Sequence, residues 1–201
     1  MSRVEDLSPD PKSHIKTLMK IGYSLSSAIA DILDNSIAAS STRVEIYSPP
    51  GLDEAIISIL DDGHGMSADE LIHNMRIGCK DPSSERDLND LGRFGSGMKT
   101  ASFSQARRLT VISKSSGGKA TAAIWDIDKI EETNSWCIEI LDDHEICKLP
   151  MIQINKDTDQ GTQLIWEKLT FIQGDSHSPD SKDELAIHLS GLSEYIALHF
   201  H

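Results

Sequence analysis

The sequence has few cysteines and no long hydrophobic run, and both absences exclude classes of protein. Its three cysteines, Cys79, Cys137 and Cys147, are far apart and form neither a CxxC pair nor a zinc-binding spacing. We therefore expect reduced thiols and no disulfide framework. The apolar stretches are far shorter than a membrane span, and no basic start followed by an apolar core indicates a secretory signal. These features predict a cytoplasmic protein, or a nuclear one in a eukaryote, that does not contact a membrane.

Basic residues are also scarce. The chain has 19 Lys and Arg against 32 Asp and Glu, and its formal net charge is −13. Such a surface repels the phosphate backbone of nucleic acids at long range. We therefore expect any contact with nucleic acid to be made by regions outside this sequence or by partner proteins.

Hydrophobic periodicity predicts one domain of mixed α and β structure. The 201 residues, 38% of them hydrophobic, suffice for one sizeable core. Spacing typical of helices runs from Ser13 to Ser41, from Ser67 to Ile77, from Met98 to Gln105 and from Asp183 to Phe200. Stretches typical of strands are 43–48, 55–60, 109–113, 120–127, 136–141 and 162–167. The predicted fold class is α+β, with a largely antiparallel sheet layered against helices.

The first chemical motif is the pair Asp31 and Asn35 in the early helix. Residues four apart share one helix face, so a carboxylate that can accept a proton stands beside an amide oxygen that can bind Mg²⁺. Taken alone, the pair could also be an ordinary solvated surface. The apolar residues between positions 28 and 33 favour a mostly buried helix instead.

The second motif is DDGHGM, residues 61–66, where an apolar strand ends. Asp61 could accept a hydrogen bond from an exocyclic amine such as that of adenine. Gly63 and Gly65 permit positive φ and close approach of a ligand, and Met66 could pack its thioether on an aromatic base. The alternative is a simple strand-to-helix turn, for which Asp-Gly is common.

The third motif is GRFGSGMKTA, residues 92–101, in which three glycines precede a helix. Free N–H groups at a helix N-terminus bind anions such as phosphate. A Walker A loop would need its lysine directly after the last glycine. Here Met98 separates Gly97 from Lys99, and no apolar strand leads into the loop, so the Walker A alternative is set aside.

Together the three motifs resemble those of the GHKL ATPases, the superfamily of gyrase B, heat-shock chaperones, histidine kinases and MutL. Residues 31–35 resemble the N box, residues 61–65 the DxGxG box and residues 92–97 the GxxGxG box, in the family's order. Gly161-Thr162 resembles the family's late Gly-Thr pair. The segments GYSLSSAIADILDNSIAAS and GRFGSGMKTAS look most like MORC-type and related prokaryotic ATPases. The implied fold is the two-layer Bergerat sandwich, a mostly antiparallel mixed sheet with helices on one face.

The resemblance implies a role for each matching residue. Asn35 would bind Mg²⁺, and Asp31 would take the place of the general base, which is usually Glu in the family. Asp61 would bind the adenine amine, assisted through water by Thr162. The adenine pocket would be shaped by Gly63, Gly65 and Met66. The remaining nucleotide contacts, chiefly to phosphate, would come from Gly92, Phe94, Gly95, Ser96, Gly97, Met98 and Lys99, with residues 78–94 as a mobile ATP lid.

The implied activity is Mg²⁺-dependent ATP hydrolysis that drives a conformational switch. ATP would close the lid and pair two copies of the chain through the N-terminal arm and lid, in DNA management, repair or defence. Asp31 is one methylene shorter than Glu, so a module that binds ATP or ADP without turnover is the alternative. A histidine kinase fits less well, because that family usually has a second Asn where Asp31 stands.

The resemblance also divides the chain. Residues 1–12 are expected to form an arm and residues 13–172 the ATP-binding domain. Residues 173–201 comprise a Ser/Pro/Asp-rich linker and a C-terminal amphipathic helix. The apolar stripe of that helix has no evident partner in the sequence, which leads to the hypothesis that the chain is the N-terminal portion of a longer protein and that the helix begins a second domain.

Overall fold

The computed structural model describes residues 5, 7–48, 54–78, 97–154, 158–171, 185–192 and 196. Gly92, Phe94, Gly95 and Ser96, nearly all of the predicted lid and the linker 173–182 lie outside the described residues. The helices are α1 (Pro11–Met19), α2 (Leu25–Ala38), α3 (Ala68–Met75), α4 (Gly97–Gln105), α5 (Ile127–Thr133) and α6 (Asp143–Ile146). The strands are β1 (Val44–Tyr47), β2 (Ile57–Asp61), β3 (Ala106–Lys114), β4 (Thr121–Asp126), β5 (Glu139–Leu141) and β6 (Gly161–Leu169). None of the described helices has the length and apolar character that crossing a membrane requires.

The helical stretch predicted from Ser13 to Ser41 is two helices, α1 and α2. Gly22 adopts a left-handed φ of +79° between them. Ser24 then caps α2, since its side chain accepts the Ser27 N–H while the Ser27 side chain accepts the Ser24 N–H. The buried positions of α2 recur every three or four residues and are Leu25, Ala28, Ile29, Ile32, Leu33 and Ser36. One side of α2 is therefore core, and Ser36 is the polar member of that buried stripe.

The six strands form one sheet in the order β1-β2-β6-β3-β4-β5. Every pairing among the described strands is antiparallel, so the mixed sheet implied by the resemblance is here antiparallel throughout. The late strand β6 lies between β2 and β3. Its register places Thr162 opposite both Asp61 on β2 and Ser113 on β3. Three polar residues that are distant in the sequence are thus neighbours at one end of the central strands.

The two faces of the sheet are covered differently. Residues from α1 to α5 join one face of the sheet in a large apolar cluster, which includes Ile15, Ile29, Leu71, Phe103 and Trp166. The opposite face carries a smaller cluster, formed with α6 and residues 149–154. The prediction of a two-layer α+β fold is confirmed, with the addition that the single turn α6 lies on the second face.

Two local expectations for residues 120–141 were wrong. The strand expected to continue through residue 127 ends at Asp126, because the Asp126 side chain accepts the Asp128 N–H and caps α5. The strand expected to begin at Trp136 begins at Glu139. Trp136 instead packs edge-on against Trp125, with ring centroids 6.1 Å apart.

The C-terminal helical segment, residues 185–192, also differs from expectation. Leu185 and Leu192 are 6% and 5% exposed and belong to the large apolar cluster. Since burying a leucine side chain is favourable by about 1.5–3 kcal/mol, these contacts hold the segment on the domain. The expectation that its apolar stripe lacks a partner within this chain is therefore wrong.

Candidate nucleotide-binding site

The centre of the candidate site is the carboxylate of Asp61, at the end of β2. Asp61 is 5% exposed. Its Oδ2 accepts a hydrogen bond from Ser36 Oγ at 3.2 Å, and its Oδ1 accepts the N–H groups of Gly63 at 2.9 Å and Thr162 at 3.3 Å. Burial raises the pKa of Asp61, and the three donors oppose that shift. Donors from α2, from the turn after β2 and from β6 therefore fix the orientation of one buried acceptor.

The two glycines after Asp61 are required for different reasons. Gly65 has φ +64°, and a methyl group on it would lie 2.0 Å from the carbonyl oxygen of Lys114. Gly63 does not use the positive φ that glycine permits. A methyl group on Gly63 would instead lie 2.7 Å from Ala39 Cβ, at the end of α2. The turn thus fits closely between α2 and β3, and its backbone borders the buried carboxylate.

A second set of polar contacts joins this turn to the central strands. Ser113 is fully buried, and its hydroxyl accepts the N–H of Met66 at 2.8 Å. The same hydroxyl lies 2.9 Å from Thr162 Oγ1 and 3.2 Å from the Gly161 carbonyl oxygen, to which it can donate. Met66 is half-buried, and its sulfur accepts a hydrogen bond from the Asn74 amide at 3.4 Å. Thr162 and Met66, both predicted near the adenine, are therefore brought together through Ser113.

Asp31 and Asn35 lie on the same helix as Ser36, with Asp31 half-buried and Asn35 exposed. Asn35 Nδ2 donates to the Asp31 carbonyl oxygen at 2.7 Å, which orients the amide group on the helix surface. A methyl group on Gly97 would lie 3.8 Å from Asp31 Oδ2. The start of α4 is therefore next to Asp31, while the following turn of α2 reaches Asp61 through Ser36.

The described parts of all three motifs thus meet around α2. The family model described as "Histidine kinase-, DNA gyrase B-, and HSP90-like ATPase" matches residues 23–162, which are more than half of the chain. The chain belongs to this ATPase family. The match extends from the residue before the cap of α2 to Thr162 on β6, so it covers the described site.

Curated relatives of three kinds share part of this ATPase domain. ATPase morc-1 of Caenorhabditis elegans is 31% identical over 91 residues, 45% of this chain and 10% of the relative. Chaperone protein HtpG of Paramagnetospirillum magneticum is 34% identical over 97 residues, 43% of this chain and 15% of the relative. DNA mismatch repair protein MutL of Dictyoglomus thermophilum is 28% identical over 112 residues, 55% of this chain and 19% of the relative. The matched part spans less than a fifth of each of these relatives.

Lys99 of the ATPase domain is 2% exposed, in the first turns of α4. Its ammonium group donates to the carbonyl oxygen of Asn74, in the last turn of α3. A positive charge is favourable there because the last carbonyl groups of a helix lack partners within it. Lys99 therefore joins α4 to α3, and its contact with phosphate stays a prediction. Met98 is half-buried and packs against the apolar cluster.

Sequence reasoning did not identify Ser36 and Ser113 as parts of the site. Both are fully or almost fully buried, at 1% and 0% exposure. Ser36 continues the three- and four-residue spacing of the buried stripe of α2, and Ser113 follows the apolar residues of β3. The signal in the sequence was a serine at a position where the pattern predicts an apolar side chain. Because buried polar groups need partners, such a serine indicates a buried hydrogen bond.

Asp62 is the second carboxylate of the DxGxG turn, and it holds residues 41–43, the connection between α2 and β1. Its Oδ1 accepts the N–H groups of Thr42 at 2.7 Å and Arg43 at 2.9 Å and the Ser41 hydroxyl at 2.7 Å, and its Oδ2 accepts the Thr42 hydroxyl at 2.6 Å. These donors hold the pKa of Asp62 far below its usual value, the side-chain bonds from Thr42 and Ser41 contributing most. The contribution of the Asp62 carboxylate to the stability of the folded state is therefore complete above the unfolded-state pKa of about 4. It is lost as pH falls toward the lower folded-state pKa.

We expect Asp62→Asn to lower the free energy of unfolding by about 1–2 kcal/mol at pH 7. The Nδ2 of the asparagine amide is a donor, and it would face the same N–H and hydroxyl donors that the carboxylate now accepts. The difference from wild type should shrink below a pH of about 4. Urea unfolding followed by circular dichroism at pH 7 and pH 3 measures both effects. Glu132→Gln, at an exposed position of α5, is the charge-matched control and should change stability by less than about 0.5 kcal/mol. An Asp62→Asn variant as stable as wild type at pH 7 would contradict this account.

Proposed function

We propose that this domain binds Mg²⁺-ATP between α2, the DxGxG turn and the start of α4, and that it hydrolyses the nucleotide. One observation carries the proposal: α2 reaches the start of the phosphate-loop helix through Asp31 and the buried carboxylate Asp61 through Ser36. A nucleotide has two chemically different ends, and this helix adjoins a feature suited to each. The family membership of the chain supports the same assignment.

At the adenine end, Asp61 is the acceptor for the exocyclic amine. Its Oδ1 already takes two backbone donors, whereas Oδ2 takes one hydroxyl donor among the described contacts and has lone-pair capacity for another. The Thr162 hydroxyl lies on the neighbouring strand and is linked to Ser113. It is placed to hold a water molecule between the base and the strand.

At the phosphate end, Asp31 is the general base and Asn35 is the magnesium ligand. No group of three or more His, Cys, Asp or Glu side chains that could hold a metal occurs within the described part of the chain. A magnesium ion at Asn35 would take one amide oxygen from the protein and its other ligands from phosphates and water. The ion would neutralise part of the phosphate charge. The half-buried Asp31 carboxylate would orient a water molecule and accept its proton.

The output we propose is a nucleotide-driven conformational and dimerisation switch. Residues 78–94 are the proposed lid, and α4 begins at Gly97, beside Asp31. Relatives of this domain are named as a MORC ATPase, a chaperone and a mismatch repair protein, which favours a client that is moved or remodelled. Because the net charge of −13 disfavours nucleic acid on this chain, any DNA client would be held by other regions or by a partner.

A second candidate is a nucleotide sensor that binds ATP or ADP without turnover. The observation that favours it is the length of Asp31, which is one methylene shorter than the Glu usual in the family. A displacement of about 1 Å at the base can cost roughly a hundredfold in rate. Phosphate release by the wild type distinguishes the two candidates.

Thermal shift measurements with ATP, ADP and a non-hydrolysable ATP analogue, each with and without Mg²⁺, test the binding site. We expect ATP at about 100 times its Kd to stabilise the wild type by about 2.7 kcal/mol. Asp61→Asn should weaken binding about 10- to 100-fold, because the introduced amide donor faces three donors and the charged acceptor is lost. Its shift is compared with its own ligand-free Tm, so that a loss of stability is not counted as a loss of affinity.

The control for that experiment is Asp143→Asn, at an exposed position of α6 on the other face of the sheet. It should retain the full shift with ATP. A wild type whose Tm no adenine nucleotide raises would overturn the proposed function. An Asp61→Asn variant with the full ATP shift would overturn the assignment of the adenine end alone.

A further inference from the structure

Asp61, Thr162 and Ser113 form a row of polar side chains at one end of the central strands. Thr162 on β6 is the register partner of Asp61 on β2 and of Ser113 on β3. Residues paired directly across neighbouring strands place their side chains on the same face of the sheet. All three residues are buried. The direction of the hydrogen bonds within this row therefore decides which groups it can bind.

The Ser113 hydroxyl has three printed partners and one proton to donate. It accepts the N–H of Met66 at 2.8 Å, and a backbone N–H can only donate. It lies 3.2 Å from the Gly161 carbonyl oxygen, which can only accept. The third partner, Thr162 Oγ1 at 2.9 Å, can do either. A hydroxyl donates once and accepts twice, so all three contacts are hydrogen bonds only if Ser113 donates to Gly161 and Thr162 donates to Ser113.

This assignment determines what Thr162 offers to a ligand. Its one proton is directed to Ser113, so its oxygen presents only lone pairs to the pocket. The ionised carboxylate of Asp61 can likewise only accept. Two acceptors side by side favour a ligand group with N–H donors over a carbonyl oxygen, because acceptors that face one another are left unpaired. A bridging water passes on the same preference, since a water that donates to Thr162 has one proton fewer for the ligand.

We propose that Ser113 is a specificity-determining residue, which takes the proton of Thr162 and so sets the adenine end to select an amino purine over an oxo purine. The inference rests on the proposed function, in which Asp61 and Thr162 bind the exocyclic amine. Ser113 acts on the nucleotide through Thr162 and is a positioning residue. Without the Ser113 hydroxyl, the hydroxyl of Thr162 would be able to turn and donate to a carbonyl oxygen.

The test compares the affinities of ADP and inosine diphosphate, in which a carbonyl oxygen replaces the amino group of the base. Neither nucleotide has a γ-phosphate, so hydrolysis does not disturb the titration. Isothermal titration calorimetry with Mg²⁺ gives the two Kd values. We expect the wild type to bind ADP about 10- to 100-fold more tightly than inosine diphosphate. Ser113→Ala should reduce this preference about 3- to 10-fold.

The ratio of the two Kd values separates this role from a structural one, because a loss of packing weakens both nucleotides together. Ser58→Ala is the matched control. Ser58 is also a fully buried serine, and its hydroxyl accepts from Gln163 Nε2 at 2.9 Å. It lies three residues before Asp61 on β2 and therefore on the opposite face of the sheet. Ser58→Ala should keep the wild-type ratio.

Ser113→Cys covers the case in which Ser113→Ala does not fold. The thiol keeps the shape of the side chain but is a weak donor and a weak acceptor. It should therefore shift the ratio in the same direction as Ser113→Ala. A wild-type ratio in the folded Ser113 variant would overturn the role of Ser113 while the proposed function stands.

A double-mutant cycle tests whether Ser113 acts through Thr162. Thr162→Val keeps the shape of the side chain and removes its acceptor, so it should also reduce the preference for ADP. Adding Ser113→Ala to Thr162→Val should change the ratio no further. A further change by the factor seen in Ser113→Ala alone, or equal affinities for the two nucleotides in the wild type, would overturn this inference. A wild type that binds neither nucleotide would overturn the proposed function itself.

Discussion

Replacing Asp31 with asparagine should slow hydrolysis of Mg²⁺-ATP by about 100- to 10,000-fold, the usual contribution of a positioned general base. The amide keeps nearly the same shape, but it cannot take a proton from water. Affinity for ATP should change little, because the contacts proposed to bind it are those of Asp61 and of the phosphate groups. Continuous measurement of released phosphate gives the rate, and the ATP-induced change in Tm reports the affinity.

Two further variants make the Asp31 experiment specific. Asp34→Asn removes the neighbouring carboxylate, which points in a different direction from α2. Burial raises the pKa of Asp34, and the charge of Asp31 raises it further. It should retain turnover. Asp31→Glu restores the side-chain length usual in the family and should retain activity where Asp31→Asn loses it. Undiminished turnover in Asp31→Asn would remove Asp31 as the base, and labelled phosphate on a partner histidine would favour a kinase.

The second large effect is expected for Gly65→Ala. The new methyl group would lie 2.0 Å from the Lys114 carbonyl oxygen, a backbone atom that cannot move without distorting β3. The residue would also have to keep a left-handed φ of +64°. Overpacking costs about 1–3 kcal/mol and the backbone conformation about 1–2 kcal/mol. We therefore expect a loss of about 2–5 kcal/mol, a decrease in Tm of roughly 4–20 °C, and weaker binding of ATP.

Gly117→Ala is the matched control for that prediction. Gly117 has φ +69°, close to that of Gly65, but a methyl group there would meet no atom within 4 Å. It carries the conformational cost without the steric one, so its loss of stability should be about 1–2 kcal/mol. Urea unfolding of the two variants measures the difference. Equal losses would mean that β3 accommodates the methyl group and that the close fit of the turn is unimportant.

The parts of the site that could be predicted are those in which short motifs carry the chemistry. Asp31 and Asn35 share a helix face by spacing alone, and Asp61 follows a strand that is recognisable from its apolar residues. The structure places these residues on one helix and at one strand end, as expected. Such features depend on neighbours within a few positions, and a local pattern is sufficient to find them.

The contacts that join the motifs could not be predicted in the same way. Ser113 and Thr162 are 49 positions apart and meet because β6 lies between β2 and β3. No local pattern encodes the order of strands in a sheet. The need for glycine at position 63 arises from the proximity of Ala39, which is likewise a tertiary contact. The helix α5 was missed because one side chain, Asp126, ends a strand and caps the helix.

The central position of β6 has a consequence for the emergence of this protein from the ribosome. During synthesis, β2 and β3 are complete long before residues 161–169 are available to separate and pair with them. Until then each has an open edge, and an exposed strand edge is prone to pair with other chains. The buried acceptor at Asp61 also lacks its donor from Thr162, which is 101 positions later. The Asp61 carboxylate of the nascent polypeptide therefore gains its full set of donors only after residue 162 has been synthesised.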